Sequence, residues 1–162
     1  ERLYGRWRFL GFYLLFALGG SLVSFAFSDA RGGVGASGAV FGLFGLLFAT
    51  QRVHHPIMDR QSRAFMGQLG GLLVINLLFG AVVPGIDNMA HIGGLVTGLW
   101  IGFLFAPTRV QTMRSLWMRP SVTGGFEPVF GAQGSRVLRV AGLLLLAAVY
   151  VALWVIGVQT WT

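Results

Sequence analysis

Ser37 and His91 are the residues of this 162-residue chain whose types and spacing could do chemistry together. Ser37 stands in Gly35-Ala36-Ser37-Gly38, and His91 stands in Asn88-Met89-Ala90-His91-Ile92-Gly93-Gly94. Ser37 lies 15 residues before Arg52, and His91 lies 16 residues before Pro107. If both helices end at one membrane face, a rise of about 1.5 Å per residue puts both side chains roughly 22–24 Å from it. The hydrocarbon core is about 30 Å thick, so both would sit ~6–8 Å below the opposite surface. A hydroxyl and an imidazole at matched depth, buried but near water, are a minimal set for hydrolysis inside a membrane. His91, as neutral imidazole, would take the Ser37 proton, and Ser37 would attack a peptide carbonyl. The oxyanion needs preorganised donors, and the Ser37 backbone N–H at a helix N-terminus is a natural one.

Each residue also has a plainer reading. Serine hydrogen-bonds locally in many membrane helices. An ionisable histidine there is costly, on the order of a few kcal/mol, and marks a function or a polar partner. His54 and His55 fall at the other face, too far away to join His91 around a metal, and cysteine is absent. A thiolate nucleophile and a Cys-based metal site are thereby excluded, and neither metal nor cofactor is expected. Asp87, four residues before His91, could complete a triad, but Asp87 or Asn88 after Pro84-Gly85 better suits the cap of a helix. Phe41 lies one turn below Ser37, where its ring could pack against His91. Gln68 and Asn76 are read as interhelical hydrogen-bonding residues.

Only membrane helices can hold such a pair. Hydrophobic residues make up 55% of the chain and charged residues 10%, with a mean hydropathy of +0.73. A soluble domain of this size could not hide that much apolar surface. Five hydrophobic segments are predicted, at about Leu10–Phe27, Ser37–Thr50, Phe65–Val83, Asn88–Phe105 and Val137–Ile156. The second is too short to span, so the glycine-rich stretch from Ser28 to Gly35 must dip into the membrane to meet it, which non-helical backbone does only under protein or beside a wet cavity. Gly38, Gly42 and Gly45 form one stripe and Gly94, Gly98 and Gly102 another, which would let the second and fourth segments approach closely. Trp154 and Trp161 suit an interfacial anchor. Residues 107–136 read as a cytoplasmic loop rich in Gly and Pro.

The net charge of +7 would suggest nucleic acid in a soluble protein, but here topology explains it. Of 12 arginines, Arg31 alone falls at one set of segment ends and the other 11 at the opposite set. That bias places the latter in the cytoplasm, with Ser37 and His91 near the outer face. The partners expected are therefore the lipid bilayer and membrane-embedded substrates, not nucleic acid.

The stretches Gly35-Ala36-Ser37-Gly38-Ala39-Val40-Phe41-Gly42 and Ala90-His91-Ile92-Gly93-Gly94-Leu95-Val96-Thr97-Gly98 resemble the two signatures of rhomboid intramembrane serine proteases. The resemblance covers roughly Trp7 to Ala106. It implies an all-α, polytopic transmembrane helical bundle with Ser37 as nucleophile and His91 as general base, without a carboxylate. Phe41 matches the aromatic position that supports the histidine. The substrates implied are single-pass membrane proteins cut near the outer end of a transmembrane helix, and the setting a bacterial plasma membrane. The family core has six helices and this chain matches the last four, as residues 1–106. Residues 137–162 would add a C-terminal helix. The chain is thus read as a truncated rhomboid, little active alone, because the upstream pair carries further oxyanion donors. The alternatives are a rhomboid-like protein that binds transmembrane helices without cutting them, and a small transporter. Both Ser and His are present, which favours the protease, and only Gln68 and Asn76 could line a path, which disfavours the transporter.

Overall fold

A computed structural model describes residues 4–28, 36–54, 60–105 and 134–161. These residues form five α-helices and no strand: α1 (Arg6–Phe27), α2 (Ser37–His54), α3 (Arg60–Val82), α4 (Asn88–Leu104) and α5 (Gly134–Trp161). α1, the Arg63–Val82 part of α3 and the Arg136–Trp161 part of α5 are each long and apolar enough to cross a membrane. α2 and α4 have 18 and 17 residues, so they extend only about 27 and 26 Å. The protein is an all-helical membrane bundle.

The helices outrun the apolar segments that predict them. α2 continues beyond Thr50 to His54, and α5 starts at Gly134 and runs to Trp161. Hydropathy marks the lipid-facing length, whereas Gln and Arg extend a helix readily once it has begun. The Thr50 hydroxyl also donates back to the Leu46 carbonyl at 2.9 Å, a bond compatible with continued helix. The expected loop at 107–136 lies outside the described residues up to 133, and residues 134–136 are the first turn of α5. The stretch 29–35, including Arg31, and His55 also lie outside the described residues.

α4 is the centre of the bundle, flanked by α1 and α2 along its length. Both contacts are backbone on backbone. A Cβ at Gly94 would fall on the Gly38 carbonyl, and one at Gly98 on the Gly42 carbonyl. On the α1 side, a Cβ at Gly93 would lie 2.6 Å from the Gly19 carbonyl oxygen, and one at Gly20 would lie 2.7 Å from the Ala90 carbonyl oxygen. The two stripes expected between the second and fourth segments are therefore joined by a third seam, formed by Gly19, Gly20 and Gly93. Gly42 also receives the Phe16 ring of α1. Phe12, Phe16, Ala39, Leu46 and Ile101 fill the core between these helices.

α5 runs alongside α1 in the same direction. The Tyr150 hydroxyl donates to the Leu15 carbonyl at 2.8 Å, and Trp161 Nε1 donates to the Phe25 carbonyl at 3.0 Å. Tyr150 also reaches Thr97 Oγ1 of α4 at 3.2 Å. In contrast, α3 touches α2 and α4 lightly and leaves most of its surface exposed. Gln68 and Asn76 are both exposed on it. Asn76 was expected to bond between helices, but its Nδ2 donates within α3, to the Leu72 carbonyl at 2.8 Å. A lightly packed helix offers this exposed amide no cross-helix partner, so the local carbonyl takes it.

Candidate active site

Ser37 is the first residue of α2 and His91 belongs to the first turn of α4. The glycine contacts set these two turns side by side, because Gly38 faces the Ala90 carbonyl and Gly94 faces the Gly38 carbonyl. Ser37 and His91 both line one cavity of about 580 Å³. Val40, Phe41 and Phe44 of α2, Leu72 and Asn76 of α3, Gly85, Ile86 and Asp87 of the α3–α4 turn, and Ala90 complete its wall. Ser37 is exposed within it, whereas His91 is only 8% exposed.

The imidazole is held by stacking. The Phe41 ring lies parallel to it, with centroids 4.2 Å apart and planes inclined by 4°. Phe44 in turn meets Phe41 edge-on at 6.1 Å. Among the described residues, buried His91 Nδ1 has no hydrogen-bond partner. Asp87 is therefore not bonded to it. One Asp87 carboxylate oxygen accepts the Ala90 N–H at 3.1 Å as the α4 N-cap, and the other accepts the Ser24 hydroxyl of α1. Asp87 is a capping residue and a tie between α1 and α4.

The turn that delivers α4 follows from local chemistry. Gly85 adopts φ +87°, a conformation that L side chains rarely take. Asn88 then donates from Nδ2 to the Leu77 carbonyl at 2.9 Å, fastening the end of α3 to the start of α4. At the head of α2, Val40 N–H bonds the Ala36 carbonyl at 3.0 Å. The N–H groups of Ser37 and Gly38 precede that bond, where a helix has donors to spare. Spare donors at a helix start favour a nearby negative charge. Among the described residues, no three His, Cys, Asp or Glu side chains gather as a metal would require.

Ser24, Thr97 and Tyr150 escape sequence reasoning. Thr97 is buried two turns below His91 and donates to the Gly93 carbonyl at 2.9 Å. The polar hydroxyls inside apolar runs were the available signal; their partners, 63 and 135 residues away for Ser24 and Tyr150, were not.

A family model, the Rhomboid domain, matches residues 1–108. RHOMBOID-like protein 4 of Arabidopsis thaliana is 39% identical over 104 residues, 64% of this chain and 26% of its own. Rhomboid protease GluP of Bacillus subtilis is 40% identical over 104 residues, 62% of this chain and 19% of its own. Inactive rhomboid protein 1 of Rattus norvegicus is 39% identical over 107 residues, 66% of this chain and 12% of its own. The chain thus spans about a quarter or less of the length of these relatives. A match over two thirds of its length, carried by a bundle of membrane helices, makes this chain a multi-pass member of the rhomboid family.

Proposed function

We propose that the chain carries the Ser-His dyad of an intramembrane serine endopeptidase that cuts transmembrane segments of single-pass membrane proteins near the outer face. The observation that carries this reading is the shared cavity: an exposed Ser37 hydroxyl and a buried His91 imidazole line it at one level of the bundle. His91 removes the hydroxyl proton as Ser37 attacks the scissile carbonyl. The imidazolium then returns the proton to the leaving amine, and water repeats the sequence on the acyl-enzyme. Ser37 N–H supplies oxyanion stabilisation, and Phe41 fixes the plane of the base. Asp87 stands outside the dyad because both its oxygens serve other groups. The setting proposed is a bacterial plasma membrane, with the eleven-arginine side facing the cytoplasm.

Identity to a protease and to an inactive rhomboid is nearly equal, at 40% and 39%, so the alternative is a protein that binds transmembrane helices without cutting them. A fluorophosphonate probe separates the two. Covalent labelling of Ser37 is expected, abolished by Ser37→Ala and lost with His91→Ala. In the full-length parent, each substitution should also abolish cleavage of a transmembrane substrate, and the double variant should be no worse than either single one. Labelling or cleavage that survives Ser37→Ala would end the protease reading, and a folded protein inert to both assays would support the binding role.

A further inference from the structure

Between Leu69 and Val83 the sequence places a single polar side chain, Asn76, in an otherwise apolar stretch of α3. Its neighbours Val74, Ile75, Leu78 and Phe79 are each more than half exposed, as suits contact with lipid. Asn76 is exposed too, but it lines the cavity that holds Ser37 and His91, together with Leu72 one turn away. Among the described residues, the one hydrogen bond of its carboxamide runs from Nδ2 to the Leu72 carbonyl, at 2.8 Å. Oδ1 and the second Nδ2 hydrogen have no partner among them. Asp87, the other polar residue of the wall beside the dyad, has both oxygens engaged. Although α3 is lightly packed, it is fastened next to Asn76. The Leu77 carbonyl accepts from Asn88 Nδ2 of α4 at 2.9 Å, and a Cβ at Gly80 would lie 2.3 Å from Asn88 Oδ1.

We infer that Asn76 binds substrate, its free carboxamide atoms pairing with a peptide unit beside the scissile bond of the transmembrane segment; this rests on the protease reading above. A carbonyl meets Ser37 only where the substrate helix has opened, because a helix bonds its peptide units internally. Opening frees N–H and C=O groups that lipid cannot satisfy. A carboxamide offers an acceptor and a donor side by side, the complement of a peptide unit whatever its side chain. Val40, Phe44, Leu72 and Ile86 form the apolar wall that receives the side chains. Asn76 therefore recognises an opened backbone rather than a particular residue.

The test compares the full-length parent with Asn76→Leu on a synthetic transmembrane substrate. KM should rise about threefold to tenfold with kcat little changed, the pattern of a lost binding contact. Labelling of Ser37 by a small alkyl fluorophosphonate, which has no peptide strand to reach α3, should proceed at the parent rate. Asn76→Ser keeps a hydroxyl for the Leu72 carbonyl but is too short to reach substrate. It should show the same rise, and it reads the site even if the Leu variant unfolds. Gln68→Leu removes the other amide of α3, which does not line the cavity, and should leave cleavage unaltered. An ester replacing one peptide bond next to the scissile one should abolish the difference between parent and Asn76→Leu, since the N–H that Oδ1 accepts is gone. An unchanged KM in Asn76→Leu, with the parent labelled and active, would overturn the inference and leave the protease reading standing. So would full activity in Asn76→Ser, labelling that falls in step with cleavage, or an equal loss in Gln68→Leu. A parent neither labelled nor active would overturn both.

Discussion

The rings of Phe41 and His91 lie face to face, 4.2 Å apart and within 4° of parallel. Phe41 is one helical turn from Ser37, so a single helix supplies both the hydroxyl and the wall against which the imidazole rests. Aromatic pairs of this kind contribute about 0.5–1.5 kcal/mol beyond area burial. Phe41→Ala should therefore lower the cleavage rate of the full-length parent by between about twofold and tenfold. Phe41→Tyr, which keeps the face, should retain most activity. Equal damage from both substitutions would show that the stacking does not position His91.

Asp87→Asn should reduce cleavage by less than about tenfold, ~1.4 kcal/mol of barrier. A residue that oriented the histidine of a triad would cost about 10⁴-fold by comparison with a soluble serine protease. Asp87→Ala should instead show itself in stability, by about 0.5–2 kcal/mol for the lost cap. Thermal unfolding in detergent measured alongside the cleavage rate distinguishes the roles. A rate loss near 10⁴ with unchanged unfolding would restore Asp87 to the catalytic set.

Gly94→Ala and Gly98→Ala should each be severely destabilising, because the added methyl falls on the carbonyl of Gly38 or Gly42, and backbone cannot step aside as a side chain can. Gly71→Ala is the matched control: its Cβ would meet nothing within 4 Å. Detergent-resistant folding, followed by circular dichroism on heating, should be lost in the first two and unaffected or improved in the third. Tolerance of Gly94→Ala would mean that α2 and α4 are not in backbone contact.

Tyr4 precedes α1 and is buried, with its hydroxyl 3.1 Å from Thr50 Oγ1. Burial pushes its phenol up from 10.0 to about 12, against the opposing pull of the Thr50 hydrogen bond. The folded state thus holds this proton more tightly than the unfolded one. Its contribution to stability is complete below pH 10 and declines as pH rises from 10 toward about 12. Denaturant unfolding across that window should show a loss that Tyr4→Phe reduces. An unchanged alkaline profile in Tyr4→Phe would assign the loss to other groups.

Local chemistry made some of this legible in advance. Asp87 after Pro84-Gly85 announced a cap, and the glycine spacing at 94, 98 and 102 announced a close helix contact. Helical periodicity puts Phe41 one turn from Ser37 and leaves packing against His91 and ordinary core packing both open; the stacking itself is seen only in the structure. What stayed hidden depends on distant partners. The seam of Gly19 against Gly93 and Gly20 against Ala90 needs the rotation of α1 about its axis, which a uniformly apolar helix does not disclose. Polarity at the depth of Asn76 demands a partner, but the demand does not say which carbonyl answers it.

The backbone contact between α2 and α4 also acts as a gauge of axial register. Side chains that interdigitate can re-pack when one helix slides, but a glycine Cα resting against a carbonyl has no rotamer to change. A slip of one residue, about 1.5 Å along the axis, would bring Ala39 or Leu95 toward positions occupied by Gly38 and Gly94, where a side chain strikes main chain. The height of His91 relative to Ser37 is therefore set by peptide units, the stiffest parts of the polymer, and is insensitive to the thickness or fluidity of the surrounding lipid.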